Sequence, residues 1–264
     1  MTDSSCLVDT HCHFDFSAFD DTQHHLDIAQ QAGVTKIIIP AIGESNWSKL
    51  ANLSSQFPSL YYALGLHPYF MAQHGDDAIL KLKQSLSCRS SKCVAIGECG
   101  LDLRLEEQWL TPEKLDKQYQ LFEAQVLLAI EFELPLIIHA RKAHDQVVKI
   151  LRKHQPKKGG VIHAFSGSYQ QAMEYIKLGF YIGVGGVISY PRASKTRDVI
   201  SRLPLSFLLL ETDAPDMPLD GFQGENNHPT QLKLVFKALV ELRLENKKQL
   251  EKQLWLNSHH LFCL

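Results

Sequence analysis

Long apolar runs are missing from this chain of 264 residues. None approaches the ~20 consecutive apolar residues that cross a bilayer, so a membrane-spanning helix is excluded and no membrane partner is expected. The N-terminus lacks the basic-then-apolar build of a signal peptide. Cysteine is sparse: six residues, at 6, 12, 88, 93, 99 and 263, follow no zinc-finger or disulfide-scaffold spacing. Reduced thiols in a cytoplasmic protein are the expectation. Charge of one sign is not in excess either. Twenty-seven Lys and Arg against 29 Asp and Glu leave a net −2, so no global field draws nucleic acid. Gly/Ser/Pro-rich linkers, internal repeats and low-complexity tracts are also absent, which points to one domain over residues 1–264.

The charge is unevenly spread. Residues 1–132 hold 9 basic and 17 acidic side chains, and residues 133–264 hold 18 and 12. A local anion site in the second half is compatible with that, as are uneven solvated helix faces.

What is present is a rhythm. Short, β-branched apolar runs recur at Leu7–Asp9, Lys36–Pro40, Leu60–Gly65, Val94–Glu98, Leu136–His139, Val161–Ala164, Phe180–Gly183 and Phe207–Thr212. Their near-continuous apolar character suits parallel strands buried on both faces. Amphipathic segments separate them near 22–32, 46–56, 76–87, 113–133, 142–154, 168–178 and 192–203, and a last helical region covers 229–262. Thr111-Pro112 reads as an N-cap with proline at the first helical position. Gly33, Gly159–Gly160 and Gly179 fall where helices should stop. Strand-helix alternation through eight rounds predicts an α/β fold of the (β/α)8 TIM-barrel type. The rival, a doubly wound open sheet, more often carries a glycine-rich phosphate loop after its first strand. Thr10-His11-Cys12-His13 is not such a loop.

Metal-ligand residue types end five of these strands. His11 and His13 follow the first and share a face, with Cys12 opposite. A lone His-x-His is weak evidence, but Glu98, His139, His163 and Asp213 end strands four, five, six and eight. Barrels place their sites at that end. Polar groups buried there must be paired or coordinated. Six donors exceed the need of one tetrahedral ion and suit two divalent cations ~3.5–4 Å apart with a bridging carboxylate. The spacing puts His11, His13 and Asp213 on one ion, His139 and His163 on the other, and Glu98 between. A water held there would attack, with Asp213 orienting it and accepting its proton. Imidazoles favour zinc, while two carboxylates and a phosphate substrate leave room for magnesium or manganese.

These residues sit in segments that resemble the TatD family of metal-dependent deoxyribonucleases, and within it the YjjV branch. The matching segments are Asp9-Thr10-His11-Cys12-His13, Gly65-Leu66-His67-Pro68, Gly97-Glu98-Cys99-Gly100-Leu101-Asp102, His139-Ala140-Arg141, His163-Ala164-Phe165-Ser166-Gly167 and Glu211-Thr212-Asp213-Ala214-Pro215, with Asn257 to Phe262 also fitting. The resemblance implies a TIM-barrel hydrolase with two divalent ions, often a 3′ to 5′ exonuclease on DNA. It carries His11, His13, Glu98, His139, His163 and Asp213 over as ligands. Cys99 stands where the family more usually has isoleucine. It should face away from the ions and matter little.

Around that set, His67 is read as a hydrogen-bond donor to a phosphate oxygen or a water. Arg141 could hold a phosphate bidentately or pair with Asp145. Arg192 and Lys195, in the loop 185–197 on the same rim, supply charge, and Tyr190 is placed to stack on a base. Arg197 reads equally as a solvated helix charge. Asp9 reads as a buried supporting carboxylate. Asp102 either holds a ligand histidine or caps a turn. His228 is read as a turn residue. His24–His25 and His259–His260 read as helix surface without a site, and Trp255, Leu256, Leu261 and Phe262 as packing for the last helix. The expected function is hydrolysis of phosphodiesters, in DNA or a small diester, by a monomer without an obligate protein partner. The rivals are an amidohydrolase-like enzyme acting on an ester, amide or lactone, and a metal-binding scaffold without turnover.

Overall fold

The computed structural model describes residues 6–104 and 111–264. Eight parallel strands pair in chain order: β1 (Leu7–Asp9), β2 (Val34–Ile39), β3 (Leu60–Leu64), β4 (Cys93–Asp102), β5 (Leu136–Arg141), β6 (Gly160–Ile162), β7 (Phe180–Val184) and β8 (Leu208–Leu210). The barrel closes where β8 meets β1: Thr10 N–H donates to Leu210 O at 3.0 Å and Asp213 N–H to His11 O at 2.9 Å. This is the (β/α)8 TIM barrel that the alternation predicts.

The strands read as continuous apolar runs because both faces are covered. Ile38, Ile137, Val161 and Leu209 meet inside the barrel. Their neighbours Ile37, Ile39, Ile138, Ile162, Leu208 and Leu210 face the helix layer. Burying such a side chain contributes roughly 1.5–3 kcal/mol. The same alternation aims the next residues, His139, His163 and Glu211, inward at the C-terminal mouth.

The helices are α1 (Thr22–Gln31), α2 (Glu44–Gln56), α3 (Ala78–Ser87), α4 (Pro112–Glu131), α5 (His144–His154), α6 (Tyr169–Lys177), α7 (Ser194–Arg202), α8 (Leu232–Leu242) and α9 (Lys247–Phe262). Thr111 caps α4 as expected, its hydroxyl accepting from Lys114 N–H. Gly179, with φ 83°, ends the turn after α6 in a conformation side chains disfavour. None of the described helices is long and apolar enough to cross a membrane.

Most boundaries lie within one or two residues of expectation, and two features differ more. β4 runs ten residues, so Glu98 lies within it, where the register to β5 shifts between Ile96 and Cys99. The last helical region is two helices, because Asn246 caps a new start: its side chain accepts from Gln249 N–H and Gln249 reaches back to Asn246 N–H. On α9 the buried face is Leu250, Leu254, Asn257, Ser258, Leu261 and Phe262. Trp255 and Leu256 therefore point outward, at 39% and 41% exposure, and Trp255 stacks on His259 instead.

Candidate metal centre

Glu98 is the hub of the barrel mouth. It is fully buried, and its two oxygens face different partners. Oε2 lies 3.0 Å from His11 Nε2 and 3.7 Å from His13 Nε2. Oε1 lies 2.9 Å from His67 Nε2, 3.0 Å from His139 Nδ1 and 2.8 Å from His163 Nε2. Asp213 joins the first side, its Oδ1 3.4 Å from His11 Nε2 and 3.9 Å from His13 Nε2. All six residues expected as ligands converge, and His67 makes a seventh member.

Hydrogen bonds from outside the cluster orient two of the rings. His139 Nε2 donates to Asp102 Oδ2 at 3.1 Å, which turns Nδ1 toward Glu98 Oε1, 3.0 Å away. Asp102 serves both roles weighed for it, since Oδ1 also accepts from Arg104 N–H. His67 Nδ1 accepts from Tyr69 N–H at 2.9 Å, which puts its proton on Nε2, toward Glu98. Asp9 is a supporting carboxylate: Oδ2 accepts from the Thr212 hydroxyl and Oδ1 from Thr212 N–H, bracing β1 against the segment that carries Asp213.

Burial dominates the electrostatics. It lowers His11 to about 3 and His13 to about 4, leaving both rings neutral with lone pairs available. Burial alone would raise Glu98, yet His163, His67 and His11 beside it hold it well below the usual carboxylate range. Burial raises Asp213 to about 7. Despite burial, Glu98 raises His163 to about 10.

Several of these atoms have no hydrogen-bond partner: His11 Nδ1 and Nε2, His13 Nδ1, Glu98 Oε2, His163 Nδ1 and Glu211 Oε2, all buried. Orphaned buried polar atoms are costly, and a divalent cation would satisfy those that face one another. Among the described residues, three groups have ligand atoms within 4.8 Å of one another: His11, His13 and Glu98; His11, His163 and Glu211; and His67, Glu98 and His139, the last with the His67 ring engaged by Tyr69 N–H. Imidazole nitrogens with carboxylate oxygens suit such an ion.

Glu211 is a residue the ligand reading of the sequence omitted. It is fully buried, accepts from Ala164 N–H, and has Oε1 4.0 Å from His163 Nδ1. A Cβ at Gly183 would stand 2.5 Å from Glu211 Oε2, so that glycine makes room for the carboxylate. The signal was available: Glu211 follows the inward Leu209 by two.

The rim residues are placed less centrally. Arg141 ends β5 half-exposed, 3.9 Å from Asp102 Oδ2. It makes no i,i+4 pair with Asp145, which accepts from Gln171 instead. Arg192 lies over the Tyr190 ring and lines a separate cavity with Val187, Ala193, Met217 and Pro218. The Tyr190 hydroxyl donates to Pro218 O at 2.6 Å, so one face and the tip of that ring are engaged. Lys195 is exposed on the first turn of α7. Arg197 is not a solvated charge, because it donates to Ile188 O. Cys99 turns away as expected, toward Ile137 O. His25 is not bare surface: its Nδ1 lies 3.1 Å from His228 Nε2, a pairing across 203 residues.

The cavity above the ligands, about 280 Å3, is lined by His13, Phe16, Ile42, His67, Tyr69, Phe70, Glu98, His139, His163, Asp213 and Asp216.

The family of TatD related DNases matches residues 8–263. "Uncharacterized metal-dependent hydrolase YjjV" of Escherichia coli K12 is 48% identical over 257 residues, 97% of either chain. "3′-5′ ssDNA/RNA exonuclease TatD" of Erwinia tasmaniensis is 31% identical over 243 residues, 89% of this chain and 91% of that one. The crystal structure of YjjV from Escherichia coli K12 superposes with a TM-score of 0.93 at 47% identity, covering 98% of this chain and 99% of that one. The chain belongs to the TatD family and is a metal-dependent hydrolase.

Proposed function

We propose that the chain is a phosphodiesterase with a dinuclear divalent-metal centre, acting as a 3′ to 5′ exonuclease on single-stranded DNA. The observation that carries this reading is the division of Glu98: one oxygen faces His11 and His13, which Asp213 also meets, and the other faces His67, His139 and His163. A carboxylate shared in this way suits two cations. When bound, such a pair would supply positive charge to the attacking water and to the phosphoryl oxygens of an in-line displacement.

The chain's own residues do the remaining work. His11, His13 and Asp213 would hold one cation and His139 and His163 the other, with Glu98 offering one oxygen to each side. Asp213 orients the attacking water and accepts its proton. His67, on the cavity wall, shares its Nε2 proton between Glu98 Oε1 and a phosphoryl oxygen of the substrate. Arg141 at the half-exposed edge, with Arg192 and Lys195 farther along the rim, holds flanking phosphates. The "3′-5′ ssDNA/RNA exonuclease TatD" relative supports the polarity and the strandedness. Zinc, magnesium and manganese all suit this donor set. We take it to act as a monomer in the cytoplasm.

Elemental analysis of purified protein, followed by metal-titrated assays on single-stranded DNA, tests the reading. Wild type should bind close to two equivalents of metal. Each site filled at 100 Kd should stabilise the fold by about 2.7 kcal/mol, worth a rise in Tm of roughly 5–10 °C per site at this size. Glu98→Ala should lose both bound metal and turnover; retained hydrolysis would refute the assignment.

One observation favours a second reading. No lysine or arginine lines the 280 Å3 cavity over the ligands. That suits a small, weakly charged ester or lactone. A panel of DNA, bis(p-nitrophenyl) phosphate, lactones and N-acyl amino acids decides between the two.

A further inference from the structure

The ligand cavity has a neighbour. Tyr69 and Phe70 wall the space over Glu98, His139 and His163. The same two residues wall a second cavity, of about 430 Å3, completed by Met71, Ala72, Gln73, Lys114 and Lys117. Its size falls within the roughly 300–1,000 Å3 of ordinary ligand pockets.

The wall between the cavities is tied to the centre. Tyr69 N–H donates to His67 Nδ1, and His67 Nε2 lies 2.9 Å from Glu98 Oε1. Phe70 packs edge-on against His67 and against Tyr69, with ring centroids 5.5 Å and 5.3 Å apart. Tyr69 is 59% exposed, so a large aromatic surface faces solvent beside the site.

The lining has a definite chemistry. Aromatic faces and a thioether meet two lysines carried by α4. Lys117 is fixed by donating to His74 O at 2.5 Å, which keeps its charge at the wall. Aromatic rings beside ammonium groups are what successive bases and phosphates of a single strand require. The charge that the ligand cavity lacks is supplied next door.

We propose that this second cavity is a nucleotide subsite, taking the base next to the one being removed against Tyr69 and its phosphate on Lys117. The direction of the strand rests on the exonuclease reading above; the binding itself does not.

Fluorescence anisotropy with a labelled ten-nucleotide oligothymidylate, on metal-loaded full-length protein, tests it. Tyr69→Ala should weaken binding about tenfold, since stacking on one base is worth ~1–3 kcal/mol. Tyr69→Trp should bind within threefold of wild type, which a merely structural role would not give. Lys117→Met should reduce the salt dependence, with the slope of log K against log salt falling by about 0.7. Equal affinity of wild type and Tyr69→Ala would overturn the subsite even if the enzyme degrades DNA. Tyr69-dependent binding without any phosphodiester turnover would instead uphold the subsite and sink the exonuclease reading. Tyr69 is mostly exposed, so its variants should fold, and melting curves verify it.

Discussion

His139 Nε2 lies 3.1 Å from Asp102 Oδ2, and that contact turns the other ring nitrogen of His139 toward Glu98. Two residues at one barrel mouth, 37 positions apart, thus decide which ring nitrogen is presented to the cluster.

Asp102→Asn keeps an acceptor oxygen for Arg104 N–H but removes the charge that orients the imidazole. Loss of such a supporting carboxylate typically costs 10–100-fold in metal affinity or activity, that is, roughly this range. Competition with a chromophoric chelator should show the drop, with kcat/KM falling in parallel. Unchanged affinity would mean that His139 needs no such support.

Gln125 on α4 is fully buried and holds the chain just before His67. Its Oε1 accepts from Leu66 N–H at 2.8 Å, and its Nε2 donates to Leu66 O and Leu121 O. Gln125→Leu should orphan both backbone groups of Leu66. A buried group left unpaired costs about 1–3 kcal/mol, which chemical denaturation would read. His67 would lose its footing as well, so activity should fall further than stability explains. A variant as stable as wild type would remove this role.

His228 is lowered to about 4 by burial, with His25 and His24 adding repulsion. Its Nδ1 accepts from Thr230 N–H, and its Nε2 meets His25. An unfolded imidazole titrates near 6.5, so between those values the folded chain binds fewer protons. The stability from this group is complete above about 6.5 and declines as pH falls toward 4. His11 and His13 act in the same direction, so the informative quantity is a difference. His228→Gln should flatten the fall of Tm between pH 7 and pH 4.5; identical slopes would rule the group out.

The strand rhythm was legible because parallel strands covered on both faces have nowhere to place polar residues except at their ends. His139, His163 and Asp213 therefore stood out, as did the pair His11 and His13. Glu98 was found although β4 continues past it, since its surroundings are apolar. Other features were not readable for a common reason: their partners are distant in sequence. Gln118 and Gln125 look like the polar face of an amphipathic α4, yet both are buried against backbone, at the end of β4 and just after β3. His25 and His228 belong to segments with no local sign of meeting. Asn246 differs: its capping partner Gln249 is three residues on, so the break in the last helix had a local signal that the periodicity masked.

The barrel's seam, where Thr10 and His11 bond to Leu210 and Asp213, runs directly beneath the metal cluster. A nascent chain thus carries His11 and His13 almost from its start but gains Asp213, the partner across the seam, only in its final fifth. The full ligand set comes together only when the ring closes, so a chain cut before Asp213 is expected to bind metal poorly.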